Sequence, residues 1–255
     1  MVSGPTFIER VFSFPKEIQQ ELCVAHTYKP VPKDILIVTH NQFEHLQQCV
    51  KSIRDNTEDY QIYVWDNGSQ EDMRSWLASQ PDIIVTRSET NLGFIIPNNR
   101  LIAQGENPFV ILLNDDTLVY PGWDKAMIAH LQNGIASQVG YVGGWLDGDA
   151  KGSKFGWGGS MDYIPGWCFA ISRETYQEFG LFDETLVFAY CEDADFSMRL
   201  TKAGKQIAAL HLGLVHHFEN QTIKNSIGFH DCCTSFAGNH AVLKTRWGDR
   251  ISTSR

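Results

Sequence analysis

The chain has no stretch approaching the roughly 18 apolar residues that a membrane-spanning helix requires. Short apolar runs such as Phe109 to Leu113 have the length of a buried strand. Basic residues are also scarce. The 21 Lys and Arg face 30 Asp and Glu, for a net charge of −9, which argues against a general nucleic-acid binder that must neutralise many phosphates. None of the six cysteines forms a C-x-x-C pair, so a zinc ribbon or a disulfide framework is not expected, and buried free thiols are. Two phosphate cradles are missing as well: there is no G-x-x-x-x-G-K-[ST] and no G-x-G-x-x-G, which removes the main support for a P-loop or a dinucleotide-binding fold. Glu9, Arg10, Lys16 and Glu17 interrupt any signal-peptide pattern. The expectation is a cytoplasmic protein, with peripheral contact at the inner face of a membrane left open and oligomeric state unspecified.

What is present is an ordinary globular composition. Of 255 residues, 43% are hydrophobic and 12% aromatic, enough for one large domain or two fused halves. Residues 1–32 show no sustained period and end in Lys29-Pro30-Val31-Pro32, which reads as an N-terminal extension. From Asp34 the pattern becomes regular. Ile35-Leu36-Ile37-Val38 is a continuous run of β-formers, typical of a parallel strand covered on both faces. Asn41 with Glu44 reads as a capping box before a helix bearing Phe43, Leu46, Val50 and Ile53. Further strands are expected at 61–65, 83–86, 109–113 and 207–210. Helices are expected near 98–104, 173–179 and 192–203, the last ended by Gly204. Such alternation predicts an α/β fold with a mostly parallel sheet flanked by helices.

Open α/β sheets bind ligands at the carboxyl ends of their strands. Three strands here end in polar clusters: Thr39-His40-Asn41, Asp66-Asn67-Gly68 and Asn114-Asp115-Asp116. The last suits Mg²⁺ or Mn²⁺, which take one or two carboxylates and draw the remaining oxygens from phosphates and water; a plain turn is the alternative. Glu192-Asp193-Ala194-Asp195 opens a helix. Acidic residues favour that position as caps, yet Asp193 shares a face with Phe196 and Leu200, where a carboxylate can serve as a general base. His216-His217 follows a strand and can supply a metal-binding imidazole or a structural one. Trp145, Trp157 and Trp167 lie in a Gly-rich stretch, as core or as an aromatic floor for a sugar. Asn67-Gly68-Ser69 and Asn220-Gln221-Thr222 match the N-glycosylation pattern, the first inside the expected cleft.

In this order, Ile35 to Asn41, Val64 to Ser69, Asn91-Leu92-Gly93-Phe94 through Asn98-Asn99-Arg100, Leu112 to Thr117, Gly180 to Glu184, Glu192 to Leu200 and Val215-His216-His217 resemble family 2 inverting glycosyltransferases. The likeness is strongest to the rhamnosyl- and galactofuranosyltransferase-like members, over about Asp34 to Thr222. The resemblance implies a GT-A fold, Rossmann-like with a smaller acceptor-side β region. It divides one domain, 33–255, into a nucleotide-binding half, 33–117, and an acceptor-binding half, 118–255.

The resemblance also implies roles. Thr39, Asn41, Asp66, Asn91, Gly93, Asn99 and Asp115 would line the nucleotide. Asp116 would grip the metal, Mn²⁺ or Mg²⁺, with His217 favoured and His216 the fallback. Asp193 would be the base, Glu192 would help hold the acceptor, and Trp145 and Trp167 would face sugar. The expected partners are a UDP- or dTDP-linked sugar and a glycan, lipid-linked glycan or protein acceptor. A silent GT-A carbohydrate-binding module and a metal-dependent nucleotidyltransferase are the rival readings. The second would ordinarily carry a Gly-rich basic loop that Thr39-His40-Asn41 does not provide.

Overall fold

Alternation along strand β1 (Lys33–Thr39) sets the layering of the molecule. Ile35 and Ile37 pack on one side of the sheet and Leu36 on the other, all fully buried, because successive side chains of a strand point to opposite faces. The computed structural model describes residues 15–158, 160–218 and 229–253.

Beside β1 lie β2 (Tyr60–Asn67), β3 (Ile83–Ser88) and β4 (Phe109–Leu113), all parallel to it or to each other. Two short strands follow, β5 (Thr117–Val119) and β6 (Gln138–Gly140), then the hairpin β7 (Gly143–Leu146) and β8 (Gly152–Gly156). Next come β9 (Cys168–Ser172), β10 (Ile207–Ala209) and β11 (Val215–His217). The main sheet has seven strands in the order β10-β6-β9-β4-β1-β2-β3, and only β9 runs against its neighbours. β5 pairs with β11 in a separate antiparallel ribbon.

Helices α1 (Lys16–Ala25), α2 (Phe43–Asn56), α3 (Glu71–Ala78), α4 (Ile95–Ile102), α5 (Trp123–Gln132), α6 (Arg173–Phe179), α7 (Glu192–Lys202) and α8 (Phe229–Thr253) cover the sheet and its ends. One core holds Leu46, Val50 and Ile53 of α2, Met73 and Leu77 of α3, and Trp123 and Met127 of α5. The other holds Ile95 and Leu101 of α4 with Phe196 and Leu200 of α7. A third cluster joins Leu146 and Tyr163 to Met198 of α7 and to Leu243, Trp247 and Ile251 of α8.

Three expectations change. Asn41 does not cap α2: Gln42 occupies that position, and Asn41 sits in the left-handed region at φ 57°. Its side-chain oxygen instead accepts from the Gln70 N–H at 2.9 Å, a cross-loop bond that outcompetes local capping. The helix expected at 98–104 begins at Ile95, because Pro97 falls in the first turn, where its missing N–H has no intrahelical partner to lose. Residues 16–25 of the presumed extension form α1, which packs against α5. Gly204, at φ +80°, follows the end of α7 as expected. Of the thiols, Cys49, Cys168 and Cys191 are buried and free, whereas Cys23 is exposed. Among the described residues no helix is long and apolar enough to cross a membrane.

Candidate active site

The parallel register brings the carboxyl ends of β1, β2 and β4 to one edge of the sheet, with Thr39 opposite Asp66. The polar clusters then tie these ends together. The Asn41 N–H donates to Ser69 Oγ at 3.0 Å. Asn67, 2% exposed, donates to the Gly93 carbonyl at 2.8 Å and accepts from the Leu92 N–H at 3.1 Å. Its amide is therefore consumed inside the fold, which removes it as a glycan acceptor; Asn220 lies outside the described residues. Gly93 adopts φ +79°, and a Cβ there would lie 2.4 Å from the Phe188 carbonyl. No larger residue fits this crossing.

These ends open into a cavity of about 870 Å³, a size suited to a small-molecule ligand. Thr39, His40, Asn91 and Gly93 line one end, and Asn114, Asp115, Asp116 and His217 form the acidic wall. Glu192 and Asp193 of α7 also face the space, as do Trp167 and, from α8, Phe236 and His240.

Asp115 and Asp116 are each 3% exposed. Burial, and then the neighbouring Asp116 charge, push the Asp115 carboxyl up to about 8. Its Oδ2 has no hydrogen-bond partner among the described residues. Asp116 Oδ1 lies 3.0 Å from His217 Nε2, and the His217 ring stacks on Trp167 at 4.9 Å and 10°. Strand alternation along β11 separates the two imidazoles: His217 faces Asp116, while His216 is exposed, packs on Phe218 and lines the same cavity. Two adjacent buried carboxylates with an orphaned oxygen and a facing imidazole are chemistry that a hard divalent cation would stabilise. No group of three or more His, Cys, Asp or Glu side chains that could hold a metal occurs among the described residues. The donor set therefore fits an ion held by two side chains, with ligand phosphates and water completing its shell.

The second carboxylate pair is arranged asymmetrically. Asp193 accepts from the Gly166 N–H at 3.0 Å and from the Ala194 N–H at 2.8 Å. Burial raises its pKa, and these two bonds oppose the rise. Glu192 is raised well above the carboxylate range by burial and by the Asp193 charge, and its Oε2 is buried without a partner among the described residues. Asp195 of the same motif turns away from the cavity, to Arg199 at 2.9 Å, Trp247 Nε1 at 3.0 Å and Arg246 at 3.2 Å.

Four residues singled out in the sequence stand outside the cavity walls. Asn41 is the cross-loop clip described above. Asp66 accepts from the Ser69 N–H at 2.8 Å and pairs with Arg87, so its carboxylate is engaged within the fold. Asn99 latches α4 to the Phe182 backbone, with bonds of 2.8 and 3.0 Å. The Trp145 indole donates to the Ser160 carbonyl at 2.8 Å and lies under the Lys154 ammonium.

Sequence reasoning assigned no role to Asn239 of α8. Asn239, 2% exposed, accepts from the Val187 N–H and donates to the carbonyls of Val187, Ala189 and Tyr190 at 2.8 to 3.1 Å. The loop it holds contains three non-glycine residues at positive φ, Phe188, Tyr190 and Cys191, immediately before α7. Such backbone persists only where its surroundings over-determine it. Nothing local in the sequence signals the contact, which joins residues about 50 positions apart. Replacing Asn239 with Ala removes this clasp from a part-buried turn, where the Val187 carbonyl still accepts from the Ala189 N–H, and is expected to cost about 1–3 kcal/mol, readable as a drop in the denaturation midpoint. A midpoint within error of the parent would mean that the loop is held by other contacts.

Residues 34–142 match a family model described as "Glycosyl transferase family 2". A search of curated proteins found no match. Among solved structures, the chain is similar to GalNAc-T7 with UDP, GalNAc and Mn²⁺, at TM-score 0.73 and 16% identity, covering 99% of this chain and 58% of that one. It is also similar to the mannosyltransferase PcManGT from Pyrobaculum calidifontis in complex with GDP-Man and Mn²⁺, at TM-score 0.63 and 13% identity, covering 93% and 73%. A third similar structure is TarS 1–349 of S. aureus in complex with UDP-GlcNAc, at TM-score 0.57 and 14% identity, covering 76% and 61%. The chain thus spans between 58% and 73% of the lengths of these three.

Proposed function

We propose that this chain, a glycosyltransferase of the family 2, GT-A type, moves one sugar from a nucleotide diphosphate donor to an acceptor hydroxyl with inversion. The observation that carries the proposal is that two acidic centres line one cavity: Asp115 and Asp116 with His217, and Glu192 with Asp193. The donor's nucleotide lies along Thr39, Asn91 and Gly93. Asp66 stands behind that wall, where it positions Arg87 and Ser69. UDP and dTDP are the favoured nucleotides.

Asp116 and His217 would hold the divalent cation, with Asp115 and Asn114 beside them. When bound, the cation supplies Lewis-acid stabilisation of the diphosphate leaving group. The chain's own carboxylates do the rest. Backbone N–H groups favour the ionised form of Asp193, while Glu192 lacks such bonds on Oε2. A proton held by the pair therefore resides on Glu192, leaving Asp193 as the base. Asp193 takes the proton of the acceptor hydroxyl as that oxygen bonds to the anomeric carbon. The bond to the diphosphate oxygen breaks on the opposite face and the electron pair leaves with the nucleotide. Glu192, protonated, donates a hydrogen bond to the acceptor and orients it.

Thermal stabilisation by a panel of UDP-, dTDP- and GDP-sugars, with and without Mn²⁺, tests the reading. A midpoint rise of several degrees with one donor class, dependent on Mn²⁺ and accompanied by slow release of nucleoside diphosphate, is expected. Turnover of nucleoside triphosphates with sugar phosphates would replace the reading with a nucleotidyltransferase, and indifference to every nucleotide sugar would refute it.

A further inference from the structure

We infer that Trp157 is a prebuilt stacking platform for the acceptor, and that the acceptor's terminal unit is a neutral sugar ring. The inference deepens the reading above and rests on it for the word acceptor. Trp157 follows β8 and lines the cavity while remaining 50% exposed. A large indole left half in water normally keeps its rotational freedom, but this one is fixed. Its Nε1–H donates to the Tyr141 carbonyl at 2.8 Å. One side of the ring rests on His211, with centroids 5.1 Å apart and planes 30° apart. His211 is itself anchored from outside the sheet: Glu21 of α1 accepts from its backbone N–H at 2.6 Å and meets Nδ1 at 2.9 Å. The chain Glu21, His211, Trp157, Tyr141 holds an aromatic surface open to the cavity.

The neighbouring aromatic extends it. Phe155, 60% exposed, also lines the cavity. It lies two residues before Trp157, near the end of β8, and its ring meets the edge of Tyr163 with centroids 6.3 Å apart. A rigid aromatic surface gives contact area at little ordering cost, and the C–H face of a sugar ring matches it while the sugar's hydroxyls reach the polar wall. Charge selects against an acidic sugar. Asp193 must stay ionised to act as the base, and Lys151 is the only Lys or Arg in the cavity walls among the described residues that could pair with a sugar's own carboxylate. The donor's contacts are assigned to the strand ends, which leaves this hairpin face, in the half beyond residue 117, for the acceptor.

The full chain, loaded with UDP and Mn²⁺, is applied to a printed array of neutral and acidic oligosaccharides, beside Trp157→Ala, Trp157→Phe and His211→Ala. Wild type is expected to retain neutral glycans. Trp157→Ala should lose about tenfold in affinity, Trp157→Phe less, and His211→Ala an intermediate amount. UDP and Mn²⁺ should stabilise all four proteins equally. Undiminished glycan binding by Trp157→Ala, no binding by wild type, or an equal loss of UDP binding would overturn the inference; the last would place the ring on the donor side. If Trp157-dependent glycan binding occurs while no nucleotide sugar stabilises the protein, the platform stands and the transferase reading falls.

Discussion

Asp116→Ala is expected to lower sugar transfer by several orders of magnitude, because the loss of a cation ligand removes stabilisation that is realised as the diphosphate departs. The folded chain should tolerate the change. Removing one of two adjacent buried carboxylates relieves like-charge repulsion, so the melting point without metal should hold or rise, and the raised pKa of Asp115 should fall back. The diagnostic is a split between two measurements on one purified variant. Stabilisation by Mn²⁺ with UDP should vanish while the metal-free midpoint does not drop. If transfer and metal response both persist, Asn114-Asp115-Asp116 is a turn and nothing more.

Asp193→Asn should reduce transfer by about 10²–10⁴, the usual contribution of a positioned base. The substitution keeps the size of the side chain and one of the two accepting oxygens, so donor affinity should hold and the melting point should shift by no more than the ~1 kcal/mol of a single such bond. The pH profile adds an independent check. Burial raises the pKa of Asp193, and a base works deprotonated. Activity in the parent should therefore fall on acidification at a pH above the ordinary carboxylate range. Stability runs with the opposite sign. A carboxyl whose folded pKa exceeds its unfolded one loses stabilisation as pH rises through the interval between them. The acid limb of kcat should disappear from the Asn variant. A variant with near-normal turnover and a lowered midpoint would identify Asp193 as a helix cap instead.

Much of this architecture could be read from pattern. The run Ile35 to Val38 and the alternation of strand and helix predicted a parallel sheet, and strand-end chemistry predicted where its polar clusters would converge. Two kinds of feature could not be read that way. Asn41, Asp66 and Asn99 carry motif residues that the fold uses for loop-to-loop bonds, and a motif does not reveal whether its side chain meets a ligand or a neighbouring loop. Asn239 and the Glu21–His211 contact depend on partners about 50 and 190 residues away. No periodicity records such pairs. Of the two adjacent histidines, His217 lies beside Asp116 while His216 lines the same cavity, a difference in direction that the pair in sequence does not carry.

The dependence of the Phe188–Cys191 backbone on Asn239 also sets an order of assembly. During synthesis strands β1 to β4 emerge first and can pair among themselves, since their contacts are local to residues 33–113. The turn that launches α7, with its carboxylates, gains its fourfold backbone anchor only when residue 239 has left the ribosome and α8 has docked. A nascent chain therefore aligns its strand-end clusters before it fixes the turn that presents Glu192 and Asp193. Translational arrest or proteolysis ahead of that asparagine would leave this turn unclasped beside strands that are already paired.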